Sequence, residues 1–381
     1  MASHIQRGNR NISDSLPTLT FDLISEILSK LPVKCLLQFR CVCKLWNSLI
    51  FDHKFTRKHL NGSTTRSSLQ CLSYHTPSSR FILKSFSIQS IFKDIATKIT
   101  QHEFSSNNVF GYNIHDIVGC CDGILCLANY YKPLIVLYNP SIRKFKQLSP
   151  FDNPQVNSQL NMSCGFGYDH VSHSYKVVVV YHFYINGIPE YTTKVKVHTL
   201  GTNYWKSITM FPSDIVFTQR SGKHVSGTIN WLAFLRGHHS DPLFIVSFDL
   251  DKESYQKFFL PGEINVFNLT LTLSVLRDCL CIIYDHDVWV MKEYGIKESW
   301  SKLFNLSYMQ DPIKTSISTK VLYIFEDDNV LLEFSYHVHE KKKYILYDSK
   351  NGTFKNAAFR NAVMFQHTLQ VCVESLISPC F

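Results

Sequence analysis

Val288-Trp289-Val290-Met291-Lys292-Glu293-Tyr294-Gly295-Ile296-Lys297-Glu298-Ser299-Trp300 reads as an apolar strand, a polar turn and a closing aromatic. The same shape recurs along the chain. Ile135-Val136-Leu137-Tyr138 passes the turn Asn139 to Lys144 and reaches Phe145. Val195 to His198 runs through Gly201-Thr202-Asn203 to Trp205, and Ile245 to Phe248 runs through Asp249 to Ser254 and reaches Tyr255. Tyr344 to Tyr347 passes Asn351-Gly352 to Phe354. The closing aromatics lie 60, 50, 45 and 54 residues apart, the loose period of a repeat architecture.

A second element precedes several of these hairpins. It is a turn residue followed by a continuous apolar run: Gly123-Ile124-Leu125-Cys126-Leu127, Gly227-Thr228-Ile229-Asn230-Trp231-Leu232, Asp278-Cys279-Leu280-Cys281-Ile282 and Asn329-Val330-Leu331-Leu332. Unbroken apolar character predicts strands buried on both faces, whereas the hairpins are expected to alternate like outer strands. Sheets of about four strands repeated in this way make a β-propeller, whose ring closure removes exposed edges. Residues 76–381 are read as this domain, with about six or seven blades.

Before the repeats, Asn61 to Ser68 is polar without apolar period, and residues 61–75 are read as a linker. Further upstream the spacing becomes helical. Leu23, Ile24, Ile27, Leu28 and Leu31 fall along one helical stripe. Thr20 can cap that helix, Asp22 suits the positive end of its dipole, and Pro32 stops it. Val33, Leu36 and Leu37 share a side of the next run, while Val42, Leu45, Trp46, Leu49 and Ile50 line a third opposite Lys44, Asn47 and Ser48. Three short helices over residues 16–60 cannot hide this apolar surface alone, since domains below about 40 residues usually need a partner or a staple. Residues 1–15 are polar and read as a disordered tail. The expected fold class is therefore α+β multidomain, a small three-helix module followed by a mostly antiparallel all-β propeller-like domain.

The helical residues resemble an F-box. Leu19-x-x-Asp22-Leu23, Glu26-Ile27-Leu28, Leu31-Pro32-Val33-Lys34 and Val42-Cys43-Lys44-x-Trp46-x-x-Leu49 carry the resemblance. Where that family has Leu-Pro this chain has Leu19-Thr20, with Leu16-Pro17 just upstream; proline pre-sets a first turn that threonine only caps. The phrases Cys121-Asp122-Gly123-Ile124-Leu125-Cys126, Tyr138-Asn139-Pro140-Ser141-x-Arg143-Lys144, Gly165-Phe166-Gly167-Tyr168-Asp169 and Val288 to Trp300 are similar to the F-box-associated domain of plant F-box proteins. That group is often called kelch-like, although the regular double glycine of kelch repeats is missing here. The resemblance implies a non-catalytic substrate receptor of an SCF-type cullin-RING ubiquitin ligase. Its F-box would dock a Skp-type adaptor, and through it a cullin, while the β-domain captures a target protein. Two other readings stay open: an S-locus-type F-box protein recognising ribonucleases, and a non-ligase propeller module acting as scaffold or lectin.

By the same resemblance Leu23, Ile27, Leu31, Pro32, Leu36, Val42, Trp46 and Leu49 are the adaptor-binding or interface-supporting set, which sequence does not divide between contact and core. Trp46 is the expected anchor, because truncating an interface tryptophan often costs about 2 kcal/mol or more. Target contacts are expected on loops at one end of the ring, with Tyr130, Tyr131, Arg236 and His238 as candidates. Trp205, Trp231, Trp289 and Trp300 are expected to pack blades.

Composition bounds the chemistry. The 381 residues are 45% apolar, 14% aromatic and 18% charged, and the aromatic excess favours strands. Of the net charge of +9, residues 1–60 hold +5 (nine Lys and Arg against four Asp and Glu), which suits an acidic partner. Nucleic acid is not expected, since the best recognition helix offers one lysine and a tryptophan. No apolar run approaches the roughly 18 to 20 residues of a membrane span. The 12 cysteines are expected to stay reduced, because Met1 to Ser15 holds no apolar export signal. Cys120, Cys121 and Cys126 lack zinc-knuckle pairing, Cys279 and Cys281 read as small buried hydrophobes, and no metal or cofactor is expected. Hydrolase, phosphate-loop, zincin and Rossmann motifs are all missing, and Asp285-His286-Asp287 and Glu326-Asp327-Asp328 read as hairpin tips, so no catalytic residue is expected. The expected location is nucleus and/or cytoplasm, not secreted.

Overall fold

The computed structural model describes residues 19–380 apart from 63–66, 76–79, 93–99, 104–115, 130–133, 152–160, 185–190, 210, 238–241, 263–270, 285, 307–315, 337–341 and 358–368. The expected tail, residues 1–15, lies outside the described residues. Thr20 caps α1 (Phe21–Ser29), its Oγ1 accepting the Leu23 N–H at 3.4 Å. Pro32 separates α1 from α2 (Val33–Phe39). Before α3 (Lys44–Phe51), the Cys43 Sγ accepts the Trp46 N–H at 3.5 Å. A fourth helix, α4 (His53–Asn61), follows the three expected ones because Asp52 restarts the chain as a cap, its Oδ1 accepting the Phe55 N–H at 3.0 Å.

The strands then run in chain order around a ring of six blades. Blade 1 begins with β1 (Ser67–His75), β2 (Arg80–Ser87) and β3 (Thr100–Glu103). Blade 2 holds β4 (Asp116–Cys121), β5 (Ile124–Asn129), β6 (Leu134–Asn139) and β7 (Lys144–Gln147). Blade 3 holds β8 (Asn161–Asp169), β9 (Ser174–Tyr184), β10 (Tyr191–Thr199) and β11 (Lys206–Ile208). In blade 4 the innermost strand is broken into β12 (Ile215–Phe217) and β13 (Lys223–Val225), both pairing with β14 (Thr228–Leu235), beyond which lie β15 (Phe244–Asp249) and β16 (Tyr255–Phe259). Blade 5 holds β17 (Thr272–Leu276), β18 (Cys279–Tyr284), β19 (Asp287–Met291) and β20 (Trp300–Asn305). Blade 6 holds β21 (Ser316–Ile324), β22 (Asn329–Tyr336), β23 (Lys342–Asp348) and β24 (Thr353–Asn356). The last strand, β25 (Leu369–Val373), returns to pair with β1 as the inner strand of blade 1 and closes the ring.

The period in the sequence is the outer hairpin of blades 2 to 6, and local chemistry builds it. The side chains of Asn139, Asp249 and Asp348 end the third strand and accept backbone N–H groups two or three residues on, at 2.8 to 3.1 Å. The continuous apolar runs are the second strands, and both of their faces are buried. Leu280 and Ile282 of β18 pack toward blade 4 while Cys281 and Ile283 pack toward blade 6. The expected alternation of the hairpins is corrected: their first strands β6, β15 and β23 are mostly buried, because each sheet is sandwiched between two blades. The fourth strands β7 and β24 face water for most of their length.

Two further expectations change. The linker gives way to β1 at Ser67; its polar residues concealed a strand, for buried Gln70 donates to Ser68 Oγ and Ser85 Oγ, both at 2.8 Å. Reduced thiols throughout is corrected at the ring seam, where Cys120 of β4 and Cys372 of β25 form a disulfide with a Cα–Cα distance of 5.8 Å. The reduced reading rested on compartment; closure of the ring brings together two residues 252 apart.

Candidate protein-docking surfaces

The helical module divides its apolar residues into two sets. Leu28, Val33, Leu36, Ile50 and Phe55 are buried as its core, with Ile24, Leu31, Leu37, Phe39, Trp46 and Leu49 packed against them. Leu23 and Ile27, one helical turn apart, remain 52% and 51% exposed, and Val42 and Leu45 remain 61% and 66% exposed. The single stripe expected on α1 is therefore two, Ile24, Leu28 and Leu31 inward and Leu23 and Ile27 outward. Of the eight residues expected to serve the adaptor, Leu36 is core at 0% exposure. Leu31, Trp46 and Leu49 are half-buried supports, Trp46 meeting Phe39 edge-on at 5.6 Å, and Pro32 is exposed. Sequence reasoning passed over Leu19, Phe21 and Leu45 as surface; all three are large exposed hydrophobes. Their helical spacing beside Leu23 and Val42 was the available signal.

The propeller itself covers part of the module, so a foreign chain is not its sole completion. Leu376, just beyond β25, is buried in the helical core, and Ile142 of the β6–β7 turn packs beside it. Arg57 of α4 is the polar clamp. Its Nη1 donates to Asp122 Oδ2 at 2.5 Å, Tyr175 donates its hydroxyl to the same oxygen at 2.8 Å, and the guanidinium lies 4.1 Å from the Tyr168 ring centroid. Asp122 sits in the tight β4–β5 turn with φ 50°, followed by Gly123 at φ 81°. A side chain on Gly123 would meet Ser375 Cβ at 2.6 Å, so glycine there lets the C-terminal tail lie against the turn.

The helical module thus occupies the face that carries the β4–β5 and β6–β7 turns. By antiparallel connectivity the opposite face carries the β14–β15 connection, where Arg236 is half-buried and its N–H donates to Asp214 O at 2.7 Å. Arg236 also sits near His182, whose imidazole is pushed down to about 4 by burial and by that guanidinium. Tyr130, Tyr131 and His238 lie outside the described residues. The tryptophans pack as structure: Trp231 and Trp300 are buried, and Trp205 and Trp289 are half-buried. Asp287 and Asp328, from the acidic pairs, hold Lys302 at 2.7 Å and Arg277 at 3.1 Å, as ordinary turn-flanking ion pairs. Among the described residues no three His, Cys, Asp or Glu side chains converge as a metal needs, and no helix is long and apolar enough to cross a membrane.

A small helical module with an apolar outer face, clamped to one face of a six-bladed propeller, defines a two-part docking protein. The comparisons give it a family: the model of the F-box domain matches residues 16–58 and that of the F-box associated beta propeller domain matches residues 75–379. The chain belongs to the F-box-associated propeller family. It is 31% identical over 373 residues to the F-box/kelch-repeat protein At3g23880 of Arabidopsis thaliana, covering 95% of this chain and 96% of that one. Two further Arabidopsis thaliana relatives are the F-box protein At3g07870, 29% identical with 97% and 96% covered, and the F-box protein CPR1, 26% identical with 96% and 90% covered.

Proposed function

We propose that this chain is the substrate-recognition subunit of an SCF-type cullin-RING ubiquitin ligase, working in the nucleus or cytoplasm. Its F-box docks a Skp-type adaptor, the adaptor brings a cullin, and the propeller holds a target protein. The observation that carries the reading is the set Leu23, Ile27, Val42 and Leu45, left exposed after the module has closed its own core. Exposed apolar clusters rimmed by polar residues mark interaction sites. The role asks for no catalytic residue in this chain. Its contribution is effective concentration, since a tethered target meets the conjugating enzyme locally rather than by diffusion.

The test is co-purification of the full-length chain with a Skp-type adaptor. The double variant Leu23→Ala/Leu45→Ala is expected to lose the adaptor while unfolding at the wild-type temperature, because both side chains face water. Trp46→Ala is expected to weaken adaptor binding and loosen the module together, as it also removes the packing on Phe39. A wild-type chain that ignores the adaptor, or a double variant that still holds it, sinks the assignment.

A further inference from the structure

Three neighbouring inner strands each send a polar side chain into the central channel, a cavity of about 1010 Å3. They are Lys223 of β13, Ser274 of β17 and Lys320 of β21. Among the described residues Lys223 Nζ donates only to Ser221 Oγ, at 3.1 Å, and Lys320 Nζ only to Leu369 O, at 3.4 Å. Neither ammonium reaches a carboxylate among the described residues. Two other enclosed lysines do: Lys176 has Asp169 at 3.0 Å, and Lys342 has Glu333 at 2.9 Å. Ser274 is buried, and its Oγ has no hydrogen-bond partner among the described residues. Two lysines without a carboxylate and an unused hydroxyl around one cavity are an arrangement that folded proteins avoid unless something fills it.

We propose that Lys223, Ser274 and Lys320 form an anion site in the channel that takes a phosphoryl group. A phosphate monoester carries about −1.5 to −2 charges at pH 7, enough to balance both ammonium groups, whereas one carboxylate balances one. The site needs neither adaptor nor target and stands apart from the ligase reading. Burial holds the Lys223 amine down to about 7, helped by Lys320 and opposed by Asp116 and Glu333. Burial lowers Lys320 as well, against Glu333 and Asp116 and together with Lys342. A bound dianion favours both charged forms, so binding takes up protons near neutral pH and weakens as the medium becomes alkaline.

The experiment is calorimetric titration of the full-length chain with inorganic phosphate at constant ionic strength, in two buffers of different ionisation enthalpy. Saturable binding with proton uptake is expected, weaker by about tenfold or more in Lys223→Met and in Lys320→Met. Ser274→Ala, which removes a single hydroxyl, is expected to weaken it about fivefold and serves where a methionine variant misfolds. A phosphoserine peptide and a sugar phosphate are titrated alongside. Tighter binding of the peptide assigns the phosphoryl group to a target chain, and tighter binding of the sugar phosphate assigns it to a small metabolite. No saturable binding of any of the three probes, or undiminished affinity in every variant that folds, overturns the site.

Discussion

At the scale of single residues, the buried charges Asp169 and Lys176 are matched outside the channel. Lys176 of β9 lies between Asp169 at 3.0 Å and Glu253 at 3.6 Å, with side-chain exposures of 7%, 2% and 15%, and so ties blade 3 to the β15–β16 turn of blade 4. Burial by itself raises the Asp169 carboxyl, but the Ser172 hydroxyl, the Val171 N–H and Lys176 outweigh it and hold the group at about 2. A carboxyl depressed in the folded state contributes stability above its ordinary value of 3.8, and loses it as pH falls through about 2. Urea midpoints are therefore expected to drop across that interval, and the drop should flatten in Asp169→Asn. At neutral pH the same variant should cost about 3 kcal/mol, because it leaves a buried ammonium half-compensated. A midpoint that Asp169→Asn leaves unchanged would show that Glu253 alone suffices. The glycines of Gly165-Phe166-Gly167 also find their reason at this scale: a side chain at 165 would strike Ile229 Cγ2 at 2.2 Å and one at 167 would strike His224 at 2.1 Å. The phrase was visible in the sequence, but the approach of blade 4 that demands it was not.

At the scale of elements, two outer strands are fastened to the blade before them. Trp205, just ahead of β11, donates its indole N–H to Ser149 O at 2.7 Å, and Trp300 of β20 donates to Phe259 O at 3.3 Å. Both acceptors follow or end the fourth strand of the preceding blade, so the closing aromatic is a staple between blades as well as a filler. Trp300→Phe keeps most of the ring volume and removes that bond. A loss of about 1 kcal/mol in chemical denaturation is expected, with Trp289→Phe as the comparison that lacks such a bond. The hairpins and second strands were legible because their turn chemistry and apolar runs are local. Blade 1 was not, since β1 is polar in sequence and its inner strand arrives from the other end of the chain. The docking face was half legible: helical spacing identified the apolar residues of α1 to α3, but only packing sorts Leu36 inward and Leu23 outward.

At the scale of the whole molecule, the C-terminal strand holds two joints at once. β25 completes blade 1, and the tail beyond it places Leu376 in the helical core while Asn139 Nδ2 donates to Ile377 O at 2.8 Å. Ring closure and the seating of the helical module thereby share one segment. The Cys120–Cys372 disulfide crosses that seam. By restricting the open chain it is expected to contribute about 2 to 4 kcal/mol, so a reducing agent should lower the thermal midpoint of the wild type and leave that of Cys372→Ser unmoved. Equal melting with and without reductant would remove the bond from the stabilising set.

What the sequence determined by itself is the kind of module at each end. Helical period, capping residues and a repeated strand-turn-aromatic unit are short-range signals that give a small helical docking module and a propeller before any contact is known, and the resemblance of its motif residues gives the module as an F-box. Only the tertiary structure decided the number of blades, the partner of β25, the clamp of Arg57 on Asp122, and which apolar side chains stay in water. Those depend on residues tens to hundreds of positions apart coming together, and the pattern of a chain carries no record of what faces its surfaces until the ring has closed.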